Sequence, residues 1–331
     1  MSGALLEVKD LTVEFGPQRS PIRVVNGVSL SILPGEAVGI VGESGSGKSI
    51  TALSILRLVS EPPARISGRV LFDGRDLMSV PKGQMHRIRG KDIGMIFQEP
   101  MSSLNPVMTI GAQIEEAILL HEKMSRAERR ARVVDLLRLV GMPDPEQRLG
   151  AYPDQFSGGM RQRVMAAMAM ACNPKLLIAD EPTTALDVTI QAQVLALMLD
   201  IRRRFNSAIM LITHDLGVVA EICERVVVMY AGHVMEEADT RTLFRDSRHP
   251  YTQGLLRSVP TLTSTQRRLH QIEGSVPPPG TITAGCPFRP RCPQRMDRCA
   301  KEMPPLVTHG EGHRAACWAT APMATAQGEL A

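Results

Sequence analysis

The sequence predicts an α/β fold, and three observations predict it. Short apolar runs at 37–41 (AVGIV), 176–179 (LLIA), 208–213 (AIMLIT) and 226–229 (VVVM) are bounded by charge, Gly or Pro. Runs of that kind suit strands buried on both faces of a parallel sheet. Helical patterns separate the runs, and strands alternating with helices build α/β layers. A glycine-rich loop follows the first run and opens a helix.

Before that loop, from Leu5 onward, apolar and polar residues alternate through Val8, Leu11, Val13 and Phe15, the pattern of half-buried antiparallel strands. Between Gln98 and Ser157 the pattern is helical without any good strand, so this stretch reads as a helical insertion at one side of the sheet. Within it, Ser125-Arg126-Ala127-Glu128 is a capping box opening an amphipathic helix through Val133, Val134, Leu137 and Val140, with Gly141 placed to stop it. Ser157 precedes a further helix at 160–172, and 189–205 supplies another. Pro277-Pro278-Pro279-Gly280 marks a linker, because three prolines remove donors and fix an extended backbone. A small Cys- and Pro-rich unit follows it.

Composition narrows the function. A chain of 331 residues allows two or at most three domains. With 44% hydrophobic and 22% charged residues it is neither wholly disordered nor a polytopic membrane protein. The longest apolar run, at 164–172, falls short of the roughly 18 residues of a membrane span, so contact with a bilayer is expected only through a partner. The first ten residues lack the basic and apolar blocks of a secretory signal, which places the chain in the cytosol. The net charge of +4 comes without a long basic block, Arg202-Arg203-Arg204 reads as a solvated helix face, and aromatics make up only 3%. Nucleic acid is therefore not expected as a partner.

Gly42-Glu43-Ser44-Gly45-Ser46-Gly47-Lys48-Ser49 fits G-x-x-x-x-G-K-[ST] directly after a buried run and before a helical stretch. Glycines let backbone N–H groups curl around anionic oxygens, and the helix N-terminus adds partial positive charge. Lys48 neutralises the β and γ phosphates and Ser49 reaches Mg²⁺. The run 176–181 ends in two carboxylates, of which Asp180 suits the Mg²⁺ shell and Glu181 the orientation of the attacking water. Together the two elements identify a nucleotide triphosphatase.

Phe156-Ser157-Gly158-Gly159-Met160-Arg161-Gln162, twenty residues before the acidic strand end, resembles the signature loop of ABC-type ATPases. Its physical sense is a second anion site: Ser157 as N-cap, Gly158 and Gly159 exposing N–H groups, then a helix start. The resemblance implies a P-loop ATPase with a RecA-like mixed sheet core, an antiparallel β subdomain, a helical signature subdomain and a small Cys-rich C-terminal extension. It implies that ATP is sandwiched between the Lys48 loop of one cassette and the Ser-Gly-Gly loop of another. Met160 stands where Gln is usual, which leaves the Ser157 and backbone contacts untouched.

The same resemblance assigns Gln98 to the glutamine that senses the γ phosphate and joins the Mg²⁺ shell, His214 to the switch histidine, and Asp187 to the loop that crosses the dimer seam. Thr51 is counted with the phosphate loop as a nucleotide contact. Phe15 stands where an aromatic, more often Tyr, would stack on adenine, with core packing as the alternative. Gln98-Glu99-Pro100-Met101-Ser102-Ser103-Leu104-Asn105-Pro106 and Arg248-His249-Pro250-Tyr251-Thr252 narrow the resemblance to the peptide and nickel importer branch, specifically oligopeptide or dipeptide importer ATPases. It covers nearly the whole chain, with a nucleotide-binding domain at 1–245, its helical subdomain at about 99–165, and a transporter C-terminal domain at 246–331. The partners implied are a second, homologous ATPase subunit in a heterodimer, two membrane permeases and an extracytoplasmic peptide-binding protein. The place implied is peripheral, at the cytoplasmic face of the inner (plasma) membrane. A nickel or glutathione importer, an exporter, and a soluble ABC ATPase acting on DNA or ribosomes are the alternatives.

Cys286-x5-Cys292-x6-Cys299-x17-Cys317 is not the paired spacing of zinc ribbons. Four thiolates around a 4Fe-4S cluster would leave negative charge for Arg289, Arg291, Arg295 and Arg298 to offset, and Cys-Pro also follows cluster ligands in ferredoxins. Peptide importer ATPases with a similar tail imply the same cluster. A structural zinc, with His309 or His313 as further ligands, and thiols without metal rank behind it.

Overall fold

The computed structural model describes residues 3–99, 103–183, 188–259 and 271–321. Alternation at the start of the chain builds strands β1 (Leu6–Phe15) and β2 (Ile22–Ile32), antiparallel and paired Leu6 to Ile32. With β4 (Arg65–Phe72) and the short β5 (Arg75–Asp76) they form a four-stranded sheet in the order β2-β1-β4-β5.

The continuous apolar runs form the centre of a second sheet: β3 (Ala37–Val41), β7 (Leu176–Asp180), β8 (Ala208–Thr213) and β9 (Arg225–Tyr230). β3 lies between β8 and β9, parallel to both, and β7 lies between β8 and β6 (Ile93–Ile96), also parallel. Successive side chains on these strands point to opposite faces. Val38, Ile40, Ile178, Met210 and Ile212 therefore pack with the antiparallel sheet and helix α1 (Lys48–Ile55). Ala37, Val41, Leu177, Ala179, Ile209 and Leu211 pack on the opposite side with the other helices. A strand clothed on both faces has no polar positions to alternate, which explains the unbroken runs.

Helices α2 (Ile110–Leu119), α3 (Arg126–Leu139) and α4 (Gly158–Ala169) fill the stretch read as an insertion, and among its described residues there is no strand. The capping box forms: the Glu128 N–H donates to Ser125 Oγ at 3.3 Å and the Ser125 N–H to Glu128 Oε2 at 2.7 Å. α5 (Val188–Phe205) and α6 (Leu216–Ile222) complete the crossovers around β8. Among the described residues no helix is long and apolar enough to cross a membrane.

β9 turns back through Ala231 and Gly232, both at positive φ (45° and 80°), into the antiparallel β10 (His233–Asp239). Two left-handed residues in succession match the twist of a tight hairpin. After α7 (Thr240–Asp246) and α8 (Pro250–Arg257), the chain returns as the hairpin β11 (Val307–Gly310) and β12 (His313–Ala315). Because β12 pairs with β10, the eight-stranded order is β11-β12-β10-β9-β3-β8-β7-β6, and the C-terminal region completes the central sheet. Phe288, Cys286, Cys292 and Cys299 also belong to the same apolar core as the helices. The region beyond the proline linker is thus welded to the sheet by strand pairing and by shared core.

Candidate nucleotide site and thiol cluster

The glycine-rich loop joins the C-terminal end of β3 to the N-terminus of α1. Glycine is required at its start by close approach, since a Cβ on Gly42 would stand 2.2 Å from the Met229 carbonyl oxygen. At the helix entrance Gly47 is left-handed, with φ 94° and no side-chain cap, so the first N–H groups of α1 stay available to an anion. Lys48 is 5% exposed, and its Nζ donates to the Gly42 carbonyl at 2.7 Å, the Glu43 carbonyl at 2.9 Å and Ser46 Oγ at 3.2 Å. Burial lowers the pKa of this ammonium, while Glu181, Asp180 and Glu43 oppose the shift. Thr51 is fully buried and its hydroxyl donates to the Gly47 carbonyl at 2.9 Å, so in this structure it braces the helix entrance.

β7 lies one strand away from β3, across β8, and delivers the two carboxylates. Ser49 Oγ donates to Asp180 Oδ1 at 3.0 Å. Burial pushes the Asp180 carboxyl above the usual range, with the Ser49 hydrogen bond and Lys48 pulling it back. Hydroxyl and carboxylate oxygens are hard ligands that suit Mg²⁺, which keeps most of its coordination for water and phosphate. Glu181 leaves the strand with φ 47°, and its N–H donates to the Ile212 carbonyl at 2.8 Å. A left-handed non-glycine residue is strained by about 1–3 kcal/mol, a cost typically held at functional positions. Gln98 Nε2 donates to Glu181 Oε2 at 3.1 Å, and His214 Nδ1 lies 3.4 Å from Glu181 Oε1. Residues 98, 181 and 214 come from the ends of three different strands and converge on one carboxylate.

Ser157 is the N-cap of α4, accepting from the Met160 N–H at 3.4 Å. A Cβ on Gly158 would meet nothing within 4 Å, so the loop faces open space. Among the described residues no hydrogen bond or ion pair links 157–159 to the loop at 42–49. Phe15, half-buried at the end of β1, packs against the core on the antiparallel side. Asp187, with Pro100, Met101 and Ser102 of the motif after Gln98, lies outside the described residues.

Cys286, Cys292, Cys299 and Cys317 are 5%, 9%, 9% and 8% exposed and line one small cavity with His249, Phe288 and Trp318. Burial pushes the Cys286 thiol up to about 12 and raises Cys292 as well. Among the described residues no three His, Cys, Asp or Glu side chains stand close enough together to hold a metal ion. The expected counter-charges are largely committed elsewhere, which corrects the reading of the arginines. Arg289 donates to the Ala284 and Ala300 carbonyls, Arg291 to Glu43, and Arg298 lies 3.6 Å over Trp318 and pairs with Glu302. Arg295 opposes the rise that burial gives the Cys292 thiol. His313 Nε2 lies 2.8 Å from Glu236 of β10, so it is held within the sheet rather than at the thiols. The histidine at the thiol cavity is His249, fully buried, kept neutral with a pKa near 3 by burial and accepting the Tyr251 N–H. Sequence patterns give no sign of the contacts that Arg291 and Tyr251 make to Glu43 of the phosphate loop, or of the Tyr230 hydroxyl that accepts from Arg291.

Comparisons with known proteins agree with this geometry. Residues 25–184 match the ABC transporter family and residues 235–299 match the oligopeptide/dipeptide transporter C-terminal region. The chain is 52% identical over 315 residues to the oligopeptide transport ATP-binding protein AppD of Bacillus subtilis, covering 95% of this chain and 96% of the relative. It is 49% identical over 314 residues to the dipeptide transport ATP-binding protein DppD of Escherichia coli, again covering 95% and 96%. Among solved structures, the dimeric post-hydrolysis state of the ATP-binding cassette MJ0796 bound to ADP and Pi superimposes with a TM-score of 0.64 at 29% identity. It covers 71% of this chain and 99% of that one.

Proposed function

Because this chain belongs to the ABC transporter family, as an ATP-binding subunit akin to those of oligopeptide and dipeptide importers, we propose that it closes on ATP against a different cassette beneath two membrane permeases. The chemistry is ATP hydrolysis powering peptide import, ATP and water giving ADP and phosphate. The observation that carries the reading is the convergence of Gln98, Glu181 and His214 beside the Lys48 loop, while the second anion loop at Ser157 faces open space.

In this account Lys48 and the loop amides of 42–49 hold the phosphates, with Thr51 bracing the helix entrance and Phe15 beside adenine. Ser49 and Asp180 take the Mg²⁺ shell, with Gln98 reaching it through its amide oxygen. When bound, the metal neutralises charge developing on the phosphoryl oxygens. Glu181 orients and polarises the attacking water, and His214 and Gln98 hold that carboxylate in place. Ser157, Gly158 and Gly159 supply the anion contacts for the partner's ATP, and Asp187 meets the seam. Phosphoryl transfer needs mostly positioning and electrostatics, so a site completed by closure supplies both at once.

On the same reading residues 1–245 form the cassette, with its helical subdomain at about 99–165, and 246–331 the transporter-specific extension. The subunit sits peripherally on the cytoplasmic face of the inner membrane, and an extracytoplasmic binding protein delivers the peptide. Peptide is favoured over nickel or glutathione by the names of the relatives. The test is reconstitution with permeases, partner cassette and binding protein in vesicles. ATP-dependent uptake of labelled peptide is expected, with ATPase activity rising on assembly. An isolated monomer hydrolysing ATP as fast as the complete complex overturns the shared-site account.

The four thiols are proposed to hold a 4Fe-4S cluster, with zinc as the alternative. Support comes from their convergence on one cavity and from their burial, and a four-iron cube accepts wider sulfur spacing than a single ion. Binding must displace the protons of Cys286 and Cys292, whose thiols burial pushes up. The role would be structural, since peptide import needs no electrons. Anaerobic purification should yield a brown protein with iron and acid-labile sulfide in equal amounts; a colourless protein with zinc and no iron, or with no metal, overturns the cluster.

A further inference from the structure

The phosphate loop is gripped at Glu43 by the Cys-rich extension. Arg291 lies in a single 3-10 turn (Arg289–Arg291) directly before Cys292. Its Nη1 donates to Glu43 Oε2 at 2.6 Å and its Nη2 to Glu43 Oε1 at 3.0 Å, a two-point fork on the second residue of the loop. The same guanidinium donates to the Ile272 and Glu273 carbonyls, at 3.0 and 2.8 Å, and to the Tyr230 hydroxyl at 3.3 Å. The Glu43 N–H donates to the Tyr251 hydroxyl at 2.8 Å. Tyr230 packs edge to face on Tyr251 and Phe288 around this point, with Tyr230–Tyr251 ring centroids 4.7 Å apart, and Tyr251 and Phe288 stand tilted to each other. Backbone and side chain of Glu43 are therefore both fixed by residues far along the chain.

We propose that Arg291 is a positioning residue for the ATP site: it neutralises Glu43 and sets the loop so that its amides and the Lys48 ammonium face the phosphates. The inference rests on reading this loop as the ATP site. Its physical ground is a carboxylate in a loop whose ligand carries several negative charges. The Glu43 carbonyl also accepts from Lys48 Nζ at 2.9 Å, so the position of residue 43 is tied to that of the ammonium. Arg291 is only 5% exposed against 31% for Glu43, and a planar fork holds a carboxylate in one orientation. An exposed ion pair merely tying two surfaces together would show neither the burial nor the three further contacts of the guanidinium.

The test is steady-state ATPase of the assembled transporter carrying R291A, E43Q or both, with thermal midpoints recorded. R291A is expected to raise KM for ATP about tenfold, a discounted value for a partly exposed carboxylate left unpaired, with kcat changed by less than about twofold. In the E43Q background the same substitution should change KM by less than about threefold, because no carboxylate remains to be neutralised. An unchanged KM in R291A, or an equal loss in both backgrounds, overturns the proposal and leaves Arg291 a structural tie. Should R291A fail to fold, R291Q carries the same test with the same outcomes. Failure of the parent transporter to hydrolyse ATP at all would strike the ATP reading instead, so the two failures are distinguishable.

Discussion

Glu181→Gln is expected to cut ATP turnover by at least about 10²-fold while ATP stays bound, the scale of losing one positioned general base. The substitution keeps the size of the side chain and an amide oxygen that can still accept from Gln98 Nε2, now 3.1 Å from the carboxylate. What disappears is the negative charge that draws a proton from water. Binding should not suffer, because Lys48 and the loop amides are untouched and one carboxylate near the phosphates is removed. Steady-state phosphate release and retention of labelled ATP by the assembled transporter measure the two effects separately. Unchanged hydrolysis refutes the role of Glu181; lost binding with lost turnover would make it a ligand-holding group. Gln98→Ala should act through the same carboxylate and cost less, because His214 still stands 3.4 Å from Glu181.

The candidate site was legible where its chemistry is local. Residues 42–49 lie between a five-residue buried strand and a helix, and both neighbours announce themselves by periodicity. Asp180 and Glu181 were equally plain, as the polar end of a continuous apolar run. Contacts between distant segments leave no such trace. Nothing in the local pattern around Arg291 says that it will meet Glu43, 248 positions earlier. The arginines among the cysteines look like counter-charges in one dimension; in three, most are taken up by carbonyls, carboxylates or Trp318. The linker of prolines suggested a separable unit for a similar reason. An extended backbone is readable from sequence, but the pairing of Glu236 with Ala315, which carries the sheet across that linker, is set by tertiary packing. β6, Ile-Gly-Met-Ile, is broken by Gly94, so it shows neither the unbroken apolar run of its neighbours nor a clear alternation.

Lys48→Ala is expected to weaken ATP binding by about 10²-fold or more, since truncating one partner of a buried charge contact typically costs 2–5 kcal/mol. Lys48 is the cation that the loop encloses, in contact with the Gly42 and Glu43 carbonyls and within the field of Asp180, Glu181 and Glu43. Without it a triphosphate would enter a pocket whose charged side chains are carboxylates, relieved only by amides and metal. Lys48→Arg should restore little, because the planar guanidinium does not reproduce the compact ammonium seated between two carbonyls and Ser46 Oγ. The pH dependence gives an independent check. Burial lowers the Lys48 pKa below its ordinary 10.5, and bound phosphate raises it again, so binding is complete below the lowered value and falls as pH rises through it. ATP affinity of the parent chain should therefore begin to decline below pH 10.5, and that decline should vanish in Lys48→Ala. Equilibrium dialysis with labelled ATP across the alkaline range reads both effects; equal affinities for parent and variant would remove Lys48 from the phosphate site.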